Sequence, residues 1–176
     1  MANLVTGGIF KVGFTLQTES LWYAVLIDDK QTSYLPIVTT PVHNIFIDKL
    51  RSDELPDMGI TTLGIFHFLN RSWKAHGVSV SRIVVEPDFD EDPYEGRLLC
   101  HTELYQSNEI GVLVSRIQML LPDATVISAM QDAPFLICGT EDFPLAFSID
   151  YDKVKNANIM ASIRDDIVKM EAGKVP

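Results

Sequence analysis

The sequence predicts an α+β domain, with helices packed on an antiparallel or mixed sheet. Three observations carry this. Apolar residues alternate with period two in the first third of the chain, as in strands with one buried face. Further on, apolar residues recur at spacings of three and four, as on one side of a helix. The predicted order is strands, two helices, strands, helix, strands, helix, without the regular strand–helix alternation of a parallel α/β sheet. No glycine-rich nucleotide-binding loop joins a strand to a helix, since Gly7-Gly8 and Gly111 fit no such pattern.

Taken in order, Phe10, Val12, Phe14 and Leu16 mark the first strand, and the apolar run Leu21–Ile27 marks a central one. Asp28–Gln31 is a turn and Tyr34–Val38 the third strand of a meander; Pro36 lacks a ladder donor and belongs at an edge or a bulge. Pro41 opens a short helix whose stripe is Val42, Ile45, Phe46 and Leu50. After a loop from Asp53 to Met58, Thr61 and Thr62 are candidate caps of a longer helix. Its stripe is Leu63, Phe66, Leu69 and Trp73, and Gly77 ends it in a left-handed cap. Strands are predicted over Val78–Val85, Arg97–Tyr105 and Asn108–Met119, the last alternating at Ile110, Val112 and Val114. Pro122-Asp123 opens a helix to Gln131 with Val126, Ile127 and Met130 inward. Short strands follow at Phe135–Cys138 and Leu145–Ile149, then a helix over Asp152–Ala172 that buries Met160, Ile163, Ile167 and Met170. Residues 1–150 are read as one domain and 151–176 as a C-terminal helix packing on it.

The chain has 176 residues, of which 47% are hydrophobic, enough to bury roughly 70% of the unfolded surface in a single core. Its 24 acidic and 14 basic residues leave a net charge of −10, which works against passive capture of a phosphate backbone. Arg71 and Lys74 lie close together, but nothing extends them into a basic patch. The first residues lack a signal-peptide pattern, and no apolar run approaches the roughly 18 residues a membrane helix needs, so the expected home is the cytoplasm, without a membrane. Cys100 and Cys138 are expected to be small buried thiols, with one disulfide between them as the open alternative.

Three segments, in order, resemble the bifunctional nuclease family. The first is the meander ending Tyr34-Leu35-Pro36-Ile37, with a helix directly after it. The second is His76-Gly77 followed by Val78-Ser79-Val80-Ser81-Arg82-Ile83-Val84-Val85. The third is Asp123 to Met130, then Pro134-Phe135-Leu136-Ile137. The likeness runs over roughly residues 9 to 138. It implies a bifunctional-nuclease-like fold, a homodimer, and a nuclease assisted by a divalent metal.

The polar positions depart from the family pattern. Its acidic residue after the Leu-Pro-Ile strand is His43 here, and its His-Asp pair falls at Phe66-His67. Its run Ile-Asp-Ala-Arg-Pro-Ser-Asp-Ala falls at Ile117–Ala124, where only Ile117, Asp123 and Ala124 agree. Phosphodiester hydrolysis needs carboxylates on a metal, or a base with a cationic stabiliser. With those groups largely replaced, the sequence points to a non-catalytic or interaction module with a protein partner. The competing expectation is a metal-assisted nuclease of RNA or single-stranded DNA, with Asp123, His43 and His67 as candidate catalytic residues. For Asp123 a second role is open, as a first-turn carboxylate facing the helix dipole. A small-ligand sensor with a pocket beneath the long helix is a third expectation.

Two other sets are weaker. Asp88, Asp90, Glu91, Asp92 and Glu95 resemble the start of a calcium loop, but Pro93 stands where the sharp turn needs glycine, so a solvated hairpin loop is expected. His101 and Glu103, two apart on a strand, share a face, and His76 closes the long helix.

Overall fold

The computed structural model describes residues 4–52, 64–87, 100–141, 145–154 and 158–173. The predicted α+β class is what the chain adopts: a mixed sheet with helices on both faces. The strands are β1 (Leu4–Val5), β2 (Gly7–Gln17), β3 (Trp22–Asp28), β4 (Ser33–Thr39), β5 (Val78–Pro87), β6 (Cys100–Asn108), β7 (Leu113–Gln118), β8 (Phe135–Cys138) and β9 (Ala146–Ser148). The helices are α1 (Pro41–Arg51), α2 (Gly64–Ala75), α3 (Leu121–Gln131), α4 (Tyr151–Val154) and α5 (Ile159–Glu171). Among the described residues the strand order is β1-β9-β4-β3-β2-β8-β5-β6-β7. Every pairing is antiparallel except β5 with β8. The acidic loop, Thr61, Thr62 and Leu63 lie outside the described residues, as does the side chain of His101. Among the described residues no helix is long and apolar enough to cross a membrane.

Alternation along β3 divides the core between the two faces. Ala24 and Leu26 turn towards α1, α2 and α3, while Tyr23 and Val25 turn towards α5. The β2 alternation crosses from one face to the other. Val12 pairs with Leu26 but Phe14 pairs with Val25, so Gly13 is the extra residue of a bulge. Phe10 and Val12 therefore pack with the α3 side and Phe14 and Leu16 with the α5 side, although their spacing in sequence is unbroken. A Cβ on Gly13 would sit 2.5 Å from Ile27 Cδ1 and 3.2 Å from the Val25 carbonyl oxygen. Arg51, at the end of α1, donates to the carbonyls of Val12 and Gly13 at the bulge.

Pro36 lies where the sequence placed it. Among the described residues β9 pairs with β4 at Ser33 and Tyr34 alone, so the missing donor falls on the stretch of β4 beyond that pairing. Asp28 organises the β3–β4 turn by accepting from the backbone N–H groups of Thr32 (2.6 Å) and Ser33 (2.8 Å).

Helix faces depart from the periodic reading on α1 and in the C-terminal helix, while α2 turns Phe66 and Trp73 inward as expected. On α1, Val42 and Ile45 are exposed, and the buried residues are Asn44, Phe46 and Ile47. Asn44 can be buried because each end of its amide is satisfied: Oδ1 accepts from Thr39 Oγ1 at 2.7 Å, and Nδ2 donates to the Tyr23 carbonyl at 3.0 Å. On α2 no residue is fully buried; Phe66 and Trp73 are half-buried against the core, while Ile65 and Phe68 face outward. The predicted C-terminal helix is two pieces, α4 and α5, and Asn158 caps the second by accepting from Met160 N–H at 2.8 Å. Ile163 and Ile167 are buried, but Met160 is exposed. The reading of Asn108–Met119 as one strand is likewise shortened: Asn108–Val112 forms a turn with Gly111 at φ +82°, and Ile110 stands at its exposed tip.

Polar links fasten α5 to the sheet. Glu171 accepts from the hydroxyls of Thr18 and Tyr23, each at 2.7 Å, and Tyr34 bonds to the buried carboxylate of Asp166. Burial first, then these carboxylates, raise both phenols above their usual 10.0.

Two tests follow from this packing. Phe135 is fully buried on β8, so Phe135→Ala should cost about 3–5 kcal/mol in urea unfolding. Half-buried Trp73→Ala should cost less, about 0.5–3 kcal/mol; the reverse order would show that α2 carries more of the core than β8. The tyrosines give a pH test. The unfolded chain releases their protons near pH 10 while the folded chain holds them, so the folded state binds more protons and loses stability as pH rises past 10. Unfolding followed from about pH 9 to about pH 11 should show this decline, and Tyr34→Phe should flatten it. A decline unchanged in Tyr34→Phe would remove Tyr34 from the account.

Candidate functional site

The start of α1 is written in its sequence. Thr40 is the N-cap and Pro41 the first helical residue, whose fixed φ suits that position. His43 is then the third helical residue, the position from which a Glu or Gln reaches back in a capping box. The imidazole also reaches back, but to the Thr40 side chain instead of its backbone: Thr40 Oγ1 and His43 Nδ1 are 2.7 Å apart, and the His43 backbone N–H reaches Thr40 Oγ1 at 3.4 Å.

The other ring nitrogen crosses to α3. His43 Nε2 lies 2.8 Å from Oδ1 of Asp123, in the first turn of α3. In the tautomer that carries its proton on Nε2, the ring donates to the carboxylate and accepts the Thr40 hydroxyl proton at Nδ1. The result is a chain of three groups, Thr40–His43–Asp123, joining the N-termini of two neighbouring helices. The His43 side chain is 15% exposed and that of Asp123 36%, so the pair lies at the rim of the helix layer. Asp123 also sits where the helix dipole favours a negative charge.

His67 takes a different partner. On α2, its ring meets buried Phe46 of α1 edge-on, with centroids 5.5 Å apart and planes at 72°. The three sequence candidates are thus placed on three adjoining helices, two of them bonded to each other and the third committed to an aromatic contact. Among the described residues no group of three or more His, Cys, Asp or Glu side chains has an arrangement that could hold a metal ion. The donor set at His43 and Asp123 does not fit a resident cation as it stands, because both imidazole nitrogens are engaged and one carboxylate oxygen is bound to the ring.

Thr40 escaped the sequence reading, although Thr-Pro at a helix start, with His three residues after the Thr, carried the signal. The remaining polar groups have local roles. His76 Nδ1 lies 2.7 Å from the Ser72 carbonyl, one turn back at the end of α2. Cys138 is half-buried rather than enclosed; burial, with Glu86 beside it, pushes its thiol up, and Arg82 opposes. A cleft of about 560 Å³ lies between the end of β2 and α5, lined by Phe14–Glu19, Met160, Ala161 and Arg164. It is on the α5 side of the sheet, away from the predicted place beneath the long helix.

The bond between His43 and Asp123 should be measurable as coupling. In a double-mutant cycle of His43→Ala and Asp123→Ala, urea unfolding at neutral pH should give an interaction energy of about 0.5–1.5 kcal/mol, as for a partly exposed charge-assisted hydrogen bond. Additive losses would mean that the contact does not help to hold α1 on α3.

Compared with known proteins, the chain matches no family model and no curated protein.

Proposed function

We propose that the chain is a non-catalytic, homodimeric interaction module with a bifunctional-nuclease-like fold. The observation that carries this reading is how the candidate polar groups are used. His43 spends one ring nitrogen on Thr40 and the other on Asp123, and His67 packs on Phe46, so the trio serves helix–helix contact. Exposed apolar side chains on the outer surface support an interaction role: Val42 and Ile45 on α1, Ile65 and Phe68 on α2, and Leu120 before α3. Three of these, Val42, Ile45 and Leu120, lie within three residues of His43 or Asp123, so apolar surface borders the pair. The net charge of −10 gives no general attraction for a polyanion.

A second reading, the metal-assisted nuclease of RNA or single-stranded DNA, has one observation in its favour. A carboxylate hydrogen-bonded to one ring nitrogen fixes the orientation of an imidazole, as at a base or a metal ligand. That reading requires His43 to give up Thr40 or Asp123, and His67 to leave Phe46.

The two readings separate in one assay. The purified chain is incubated with labelled RNA and single-stranded DNA in Mg²⁺, Mn²⁺ or Zn²⁺, beside a variant carrying His43→Ala, His67→Ala and Asp123→Ala. The expected result is no cleavage above that of the triple variant. Metal-dependent cleavage by the native chain that the triple variant lacks would replace the interaction reading with the nuclease.

A further inference from the structure

β2 outruns its neighbour β8. β8 pairs with it at Gly7–Phe10, and Arg51 covers the carbonyls of Val12 and Gly13. From Phe14 onward, that side of β2 has no strand beside it among the described residues. This stretch lies past the Gly13 bulge, and its register with β3 runs without interruption from Phe14 opposite Val25 to Gln17 opposite Trp22. Thr18 N–H donates to the Leu21 carbonyl at 3.0 Å and carries the same register into the hairpin. Residues 14, 16 and 18 therefore bond inward to β3, and Thr15 and Gln17 turn their N–H and C=O groups to the open edge. The side chains alternate in step. Phe14 and Leu16 lie on the α5 face, and Thr15 reaches Asp48 of α1 on the opposite one.

The open edge is one wall of the cleft of about 560 Å³, and the other is the flank of α5 formed by Met160, Ala161 and Arg164. Arg164 is exposed and has neither ion pair nor hydrogen bond among the described residues, in a chain whose 24 acidic residues outnumber its 14 basic ones. A groove between a strand edge and a helix is built for an extended peptide: main-chain groups in ladder spacing give affinity, and the groups that meet alternate side chains give specificity.

We infer that the cleft takes an extended acidic segment of a partner protein, which bonds to the main chain of Thr15 and Gln17 and lies between β2 and α5. Every second side chain of that segment falls on the α5 face, beside Phe14 and Leu16. One of these is a carboxylate that meets the Arg164 guanidinium, and the next on that face is apolar, against Leu16 and Met160. Glu19, exposed at the hairpin end of the cleft, opposes a second carboxylate there. A small free carboxylate would use Arg164 but leave the edge groups of Thr15 and Gln17 unpaired, which favours the segment. This site rests on the interaction reading above and gives it a place and a partner chemistry.

The test selects binders of the full chain from a display library of random heptapeptides, then measures the enriched peptides, resynthesised with blocked ends, by fluorescence anisotropy. The expected peptides carry Asp or Glu two residues from an apolar residue. Gln17→Pro removes an outward N–H and leaves the β2–β3 ladder whole, so it should weaken binding at least about tenfold. N-methylation of alternate peptide amides, which leaves the protein untouched, should do the same. Arg164→Glu should turn the selection from acidic to basic peptides. Binding that survives N-methylation and Gln17→Pro overturns strand addition, and competition by N-acetylglutamate as effective as that by the peptide assigns the cleft to a small carboxylate instead. Enriched peptides indifferent to Arg164→Glu, or no enrichment at all, overturn the cleft as the docking site; peptides that instead lose binding with Phe68→Ser keep the interaction reading on the outer face of α2. Metal-dependent cleavage that the triple variant lacks overturns the non-catalytic reading, whereas the cleft stands or falls on its peptides.

Discussion

The architecture depends on four residues. β8 (Phe135–Cys138) lies between β2 and β5, antiparallel to one and parallel to the other, and joins the β1–β9–β4–β3–β2 half of the sheet to the β5–β6–β7 half. Its inward residues, Phe135 and Ile137, are buried at the centre of the main core beside Phe10, Ile83 and Val85. The fit on its β2 side leaves no room for a side chain: a Cβ on Gly7 would lie 2.2 Å from the Ile137 carbonyl oxygen. β8 in turn follows directly on α3, whose C-terminus closes through Asp132 in the left-handed conformation and the Ser128 hydroxyl donating to the Ala133 carbonyl at 2.7 Å. The placing of α3, and of Asp123 at its far end, is thus tied to the strand that joins the sheet.

Around that joint the molecule repeatedly uses polar side chains to tie helices to the sheet. Asn44 anchors α1 over β3, Gln131 accepts from Val80 N–H at 2.6 Å at the end of α3, and Asp166 and Glu171 take tyrosine hydroxyls under α5. Each such group is directional, so each fixes the position and rotation of a helix that apolar contact alone would leave free to slide. The His43–Asp123 bond belongs with them in geometry, and this kinship favours reading it as a tie between helices.

Much of this was legible in the sequence. Strand positions followed largely from period two, and Pro41 and Gly77 marked real helix ends. The errors share a physical origin, since periodicity reports spacing and is blind to interruptions that preserve it. The β2 alternation ran unbroken through the Gly13 bulge and so assigned Phe10 and Phe14 to one face. The final helix kept its period across Asn158, a cap in mid-run. Val42 and Ile45 outranked Asn44 in hydrophobicity, yet Asn44 is inside, because its buried amide finds partners that lie far away in sequence. At the site, His43 and Asp123 emerged as candidates one at a time. Their meeting was not readable, as it depends on how α1 and α3 lie over the sheet, and the place of His67 against Phe46 depends on the same layer.

The pairing of β1 with β9 has a consequence for how the chain reaches this state. Leu4 faces Phe147 and Val5 faces Ala146, so residues from nearly opposite ends of the chain lie side by side. The meander β2–β3–β4 and the unit β5–β6–β7 are local and can form early, but neither is joined to the other until β8 arrives, and β1 has no partner until β9 does. Contacts so distant in sequence require the entropy of closing a long loop before they return any energy, which places such topologies among the slower folders. During synthesis, the β2 and β5 edges that β8 will occupy stay open until the ribosome has delivered most of the chain. For that interval the nascent protein carries two partial sheets with unfilled edges, the kind of species on which chaperones act.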